Sequence, residues 1–256
     1  MPDMIFPLLM LAVCGQGDDI PPCAPAPSGL SGTQMFETTD FMPEGMLRIG
    51  LSGRADFPVA GGTAWSAPVS VCYGIAEGTE AAASIPVYIS DDAWGFDERT
   101  GDLRLSAKFL YESVRGGTAL ALTGTMQIPS GAAGRDGGSR LGAGVVTSTT
   151  YRLFRLSIAG EYYLCGGDDP FDARLRDGAG LELGLSSFLS WQVETTAVLT
   201  ADTDGSLTAG AGLVCFPRER LVLHLSAYTD MDDPEAFRAQ AGAAVTLGAG
   251  ALPDGI

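Results

Sequence analysis

The chain has 256 residues, 46% of them apolar and only 18% charged, with a formal net charge of −16 and a mean hydropathy of +0.18. That length fits a single all-β domain, while the negative charge argues against nucleic acid and against charge-driven docking on anionic lipid. A helical membrane span is unsupported, because the body of the chain lacks an uncharged apolar run of about 18 residues.

In chain order, residues 4–13 (MIFPLLMLAV) form an apolar run too short to cross a bilayer, with the length and position of an export-signal core. No basic residue precedes the run, and Asp3 stands where positive charge is expected. Leu11-Ala12-Val13-Cys14 resembles a lipoprotein cleavage box, apart from the Val before the cysteine. Residues 15–32 (GQGDDIPPCAPAPSGLSG) are rich in Pro, Gly and Ser. The expected organisation is a signal-like segment at 1–22, a flexible periplasmic tether at 23–44, a barrel at 45–248 and a tail at 249–256. Cys14, Cys23, Cys72, Cys165 and Cys215 make no CxxC or zinc spacing, so no metal site or cofactor is expected.

From Gly45 onward a period-2 pattern dominates. Leu120, Leu122, Met126 and Ile128 share one face, and Thr123, Thr125 and Gln127 the other. Phe154, Leu156, Ile158, Tyr162 and Leu164 alternate with Arg155, Ser157, Glu161 and Tyr163 in the same way. The pattern predicts strands at 45–57, 63–76, 79–89, 102–113, 117–128, 139–149, 152–164, 179–191, 192–201, 206–216, 219–229 and 236–248. Each is long enough to cross a bilayer at a tilt. Alternate connections are short: Ala76-Glu77-Gly78, Val114-Arg115-Gly116, Thr150-Tyr151, Trp191-Gln192 and Pro217-Arg218. The others are long and acidic, with Asp91, Asp92, Asp97, Glu98, Asp168, Asp169, Asp172, Asp202, Asp204, Asp230, Asp232, Asp233 and Glu235. Membrane barrels sort their loops in this way, short on the periplasmic side. The expected fold is therefore an all-β, antiparallel transmembrane barrel of about twelve strands with periplasmic N- and C-termini, in the bacterial outer membrane.

The segment from Gly101 to Phe109 (GDLRLSAKF) and the stretch from Ala119 to Gly134 (ALALTGTMQIPSGAAG) resemble phrases of one family. These are the outer-membrane barrels associated with aromatic-compound degradation, described as transporter-like or as "MetA-pathway of phenol degradation". Gly180-Leu181-Glu182-Leu183 continues in similar register. The resemblance implies a transporter and small hydrophobic or aromatic solutes. Many such barrels end on an aromatic residue read by the assembly machinery, whereas residues 248–256 (GAGALPDGI) follow the last strand here.

Alternation places Arg48, Arg54, Asp56, Arg104, Lys108, Arg155, Glu161, Glu182, Glu194, His224 and Arg238 inside. They are the candidates for lumen bracing and for solute selectivity, and Arg48, Arg54, Arg104 and Lys108 are expected to gather into one basic strip. The functional expectation is passive passage of small solutes, with outer-membrane lipid and the assembly machinery as partners. The alternatives are a structural or surface-interaction barrel without a pore, and a lipid hydrolase. The last rests on His224-Leu225-Ser226, whose spacing puts a base and a hydroxyl on one strand face. Against it, the pair faces inward, and the chain has no Asn to orient the histidine.

Overall fold

The computed structural model describes residues 26, 32, 35, 37–57, 62–91, 100–114, 117–130, 139–165, 173–200, 205–218, 220–233 and 235–248. The signal-like segment and the tail lie outside them. Twelve antiparallel strands close into a barrel. They are β1 (Leu47–Phe57), β2 (Ala64–Ala76), β3 (Thr79–Asp91), β4 (Leu103–Val114), β5 (Thr118–Ile128) and β6 (Arg140–Tyr151). The second half comprises β7 (Phe154–Cys165), β8 (Ala173–Ser186), β9 (Leu189–Thr200), β10 (Ser206–Arg218), β11 (Leu221–Asp230) and β12 (Phe237–Leu247). Each strand pairs with its sequence neighbours, and β12 returns to β1 from Leu47↔Leu247 to Phe57↔Phe237, so no strand edge is left open.

The distribution of side chains is inverted relative to a water-soluble protein. Ile89, Leu141 and Leu225 are 68%, 59% and 59% exposed, whereas Lys108, Glu80, Gln192 and Glu194 are among the largest fully buried side chains. Burial of charge inside and exposure of aliphatics outside is the expected arrangement when lipid, not water, is the outer solvent. Exposed aromatics flank the aliphatic band. Tyr73, Tyr111, Tyr151, Phe154, Phe188 and Trp191 sit near the short-turn end, and Trp65 and Phe237 sit at the other. Phe57 stacks on Phe237 with centroids 4.2 Å apart and meets Trp65 edge-on at 6.5 Å. Such girdles suit the membrane–water boundary.

Local chemistry sets the turns. Gly78 closes the β2–β3 hairpin at φ 68°, and a side chain there would strike Leu110. Three predicted turns are displaced. The β6–β7 turn falls at 152–153, with Arg152 at φ 55°, and β10 runs through Pro217 to Arg218. The largest displacement is at β8–β9, where the turn is Ser187-Phe188, not Trp191-Gln192. A bulge between Gly184 and Ser186 keeps odd-numbered residues outward on both strands, with Leu183 paired to Trp191. The alternation therefore runs through the turn without a break and conceals it.

Candidate functional site: an ion-paired lumen filled by the chain itself

The lumen is lined from every side by the even or odd positions that the outer aliphatics leave free. Its basic residues are Arg48, Arg54, Arg104, Lys108, Arg140, Arg155, Arg174, Arg176 and Arg238. Its acids are Asp56, Glu80, Glu161, Glu182 and Glu194, with Asp102 and Asp230 at the long-loop rim. Every inward position expected from the sequence is inward. The sequence pattern does not point to Glu80, Asp102, Arg140, Arg174 or Arg176, the last two because the start of β8 reads as loop.

The expected basic strip does not form. Arg48 and Arg54 lie six residues apart on β1, about 20 Å along the strand. Acids separate the four bases as well. Lys108 Nζ is 3.0 Å from Glu80, both side chains being fully buried. Arg54 is 2.7 Å from Asp56, which also receives Arg238 at 2.5 Å. Cross-strand attraction between opposite charges explains the interleaving.

Of the stretch 23–44 expected as a flexible tether, the described residues 35 and 37–44 lie inside the barrel. Residues 35 and 37–46 cross the lumen, and wall side chains satisfy their backbone groups one by one. Met42 N–H donates to Glu80 Oε2 at 2.7 Å, Thr39 N–H to Ser148 Oγ at 3.2 Å, and Met35 N–H to Glu194 Oε2 at 2.8 Å. Lys108 Nζ donates to the carbonyls of Thr38 (2.9 Å) and Asp40, and Arg176 donates to the carbonyl of Met35. A strand within a sheet satisfies its backbone in a ladder; a lone segment needs partners of this kind because buried N–H and C=O groups are costly unpaired.

Side chains complete the fit. Asp40 accepts from Arg155 at 2.5 Å, closer than the wall's own Glu182 at 3.3 Å. The Phe41 ring lies 4.7 Å from Lys108 Nζ. Met35 clusters with Tyr228 of β11, and Ala159 of β7 packs against the pair, so this cluster links two different walls. At the short-turn end Met42 and Met46 join Cys72 and Ala82. Gly74 lets the segment lie directly on β2: Gly45 N–H donates to Gly74 O at 2.9 Å and Gly74 N–H to Met46 O at 3.0 Å. A side chain at 74 would meet the carbonyls of Pro43 and Met42, the latter at 2.6 Å. Glu37 and Asp40 bring two negative charges into a described lining of nine bases and seven acids, the rim included, and make up the difference.

His224 turns away from Ser226 and meets Ser52 Oγ at 3.1 Å across Gly242, where a side chain would collide with the imidazole. The H-x-S pair is therefore not assembled, although both residues are inward and buried. Of the acidic loop residues, Asp230 accepts from Asp232 N–H at 3.0 Å and Asp232 from Leu207 N–H at 3.3 Å, so these two brace the loop that carries them. Asp92, Asp97, Glu98, Asp168, Asp169, Asp172, Asp202 and Asp204 lie outside the described residues, as does the side chain of Asp91. Among the described residues no group of three or more His, Cys, Asp or Glu could hold a metal ion.

An aliphatic exterior between aromatic girdles, twelve closed strands and a charged interior define the class: a membrane β-barrel of the outer-membrane type. Solved structures share this barrel fold. The chain is similar to the COG4313 outer membrane channel from Pseudomonas putida F1, with a TM-score of 0.63 and 13% identity over 82% of this chain and 98% of that one. It is similar also to the NanC porin, with a TM-score of 0.61 and 11% identity over 77% of this chain and 98% of that one. The KdgM porin in complex with disordered oligogalacturonate gives a TM-score of 0.56 and 8% identity over the same shares. Neither a protein-family model nor a curated protein sequence matches the chain.

Proposed function

We propose that this protein is a bacterial outer-membrane channel for the passive passage of small solutes, closed at rest by its own N-terminal segment. One observation carries the reading: the material filling the lumen is held by single hydrogen bonds and ion pairs to separate strands, with no ladder on the wall among the described residues 35 and 37–42. Such contacts can be exchanged for water one at a time, whereas a core of packed aliphatics could not. Arg48, Arg54, Arg104, Lys108, Arg155, Glu161, Glu182, Glu194, His224 and Arg238 are the proposed lining of the opened path, where they would select by charge. Support for outer-membrane placement comes from the lipid-suited exterior and from the shared fold of the solved channels. Hydrophobic or aromatic solutes remain what the sequence resemblance implies, and the charged lining requires that any such solute also be polar. Assembly by the outer-membrane machinery belongs to the same proposal.

The test is single-channel recording in a planar bilayer. Thr39→Cys with Ser148→Cys, in a background lacking the native cysteines, joins the segment to β6 through a disulfide or a short bis-thiol linker. Cross-linked protein should be silent, and reduction should restore discrete steps. Reduced protein that inserts, migrates anomalously without heating and still never conducts would remove the channel reading. The barrel filled by its own segment would then be a structural or surface-interaction protein.

A further inference from the structure

Asp40 and Phe41 are adjacent in sequence and meet two cations on different walls of the lumen. The Asp40 carboxylate takes Arg155 of β7 at 2.5 Å, and the Phe41 ring lies 4.7 Å from Lys108 Nζ of β4. Lys108 Nζ also donates to the carbonyls of Thr38 and Asp40, so its charge is directed at this stretch as well as at Glu80. Arg155 is 8% exposed at its side chain, and Glu182 at 3.3 Å is its more distant carboxylate. The Ser148 and Ser157 hydroxyls, 2.8 Å apart, border the same stretch through the Thr39 N–H. A carboxylate and an aromatic ring, offered by the chain, thus occupy a guanidinium and an ammonium face. Both are strong recognition modes: the charge-assisted hydrogen bond to arginine and the cation–π contact.

We infer that Arg155 and Lys108 form a binding site for a small aromatic carboxylate, and that Asp40-Phe41 is the resident mimic of that solute. The inference rests on the channel reading given above and adds the ligand class. Binding is competition: the solute's carboxylate replaces that of Asp40 on Arg155, its ring replaces Phe41 on Lys108, and the segment loses the contacts that seat it. A ligand that binds only the segment-released state shifts the population by mass action. A cavity of about 180 Å³ opens at the long-loop end beside Asp56, Tyr228 and Arg238.

The experiment follows the release of the segment directly. Full-length protein carrying Thr39→Cys, with the native cysteines replaced, is labelled with a membrane-impermeant maleimide in the presence of benzoate, acetate or benzamide. Benzoate at ten times its dissociation constant should speed labelling about tenfold. Acetate, lacking the ring, should act less, and benzamide, lacking the charge, should not act. Arg155→Gln should abolish the benzoate effect, and Phe41→Leu should lower the concentration that produces it. Equal acceleration by benzamide overturns the carboxylate site, and equal potency of acetate overturns its aromatic half. No acceleration by benzoate, while the cross-linked Thr39–Ser148 pair still gates conductance, overturns the site and leaves the channel standing. Silence of every reduced variant in the bilayer overturns the channel reading itself.

Discussion

At the short-turn end of the lumen, Met42, Met46, Cys72 and Ala82 pack on one side and Val214, Phe216, Val222 and Ala244 on another, with Lys108 and Glu80 fully buried nearby. At the long-loop end the pattern reverses. Arg54 and Arg238 share Asp56 while their side chains stay 34% and 39% exposed, next to a cavity. The first end is dry and tightly filled; the second is wet and charged. The inserted segment is seated chiefly by the dry end, where desolvation makes each polar contact worth most. The wet end keeps its charges accessible to an arriving solute.

The contrast breaks most severely at Glu80. This residue pairs with Lys108 and accepts the Met42 N–H, so Glu80→Leu strands a buried ammonium and a buried donor together. Breaking a buried pair by removing one partner costs about 3–5 kcal/mol. Urea unfolding in detergent micelles should show that loss, and Glu80→Leu with Lys108→Met should recover only the part due to the stranded charge, because the Met42 N–H and the Thr38 and Asp40 carbonyls stay without these partners. A cost below about 1 kcal/mol for Glu80→Leu would mean that water already reaches the pair, and the dry end would not be dry.

Gly74→Val separates the segment from the wall. The added side chain collides with the Pro43 and Met42 carbonyls, so residues 42–46 must lift from β2. Overpacking of this kind costs about 1–3 kcal/mol. Labelling of Thr39→Cys should accelerate, while heat-modifiable migration of the barrel persists. Loss of the folded band instead would show that the segment is needed for barrel stability.

These two residues also mark how far the sequence could be read. The wall was legible because a strand writes its two faces at a fixed period, and Leu156, Ile158 and Leu164 against Arg155, Ser157 and Glu161 admit one register. Strand boundaries blurred where that period carried no information, as at the Gly184–Ser186 bulge, which hid a turn and pushed Arg174 and Arg176 out of the lumen list. The segment from Met35 to Met46 was illegible for another reason. It has no ladder and no period, and Pro43 and Gly45 read as linker. What fixes it is a set of partners on β2, β3, β4, β6, β7, β8, β9 and β11. Such contacts join residues as far apart in sequence as Met35 and Tyr228, and no local signal encodes them. A faint cue existed: Lys108, the chain's single lysine, was already placed inside with no segment to hold.

At the outer rim of the wet end the expected effects are smaller. Phe237→Ala removes the 4.2 Å stack on Phe57 at the membrane boundary. An aromatic pair is worth about 0.5–1.5 kcal/mol beyond the area it covers. Unfolding in lipid vesicles should register about that loss, with unitary conductance unchanged because both rings face outward.

Asp56→Asn is expected to cost least in stability and to say most about selectivity. Asp56 holds both Arg54 and Arg238, yet all three groups reach solvent, and exposed pairs contribute about 0–1 kcal/mol. The folded barrel should therefore unfold at nearly the same urea concentration as the parent. Its mouth gains one positive charge, because Arg54 and Arg238 lose the carboxylate they share. Charge at a constriction acts on permeating ions through the local potential, and low salt enlarges that effect. The reversal potential in asymmetric salt should move toward the anion limit, more at 0.1 M than at 1 M salt, where the screening length falls from about 10 Å to about 3 Å. An unchanged reversal potential at both salts would place the selecting charges deeper, at Arg155 and Lys108, and make the wet end a passive vestibule.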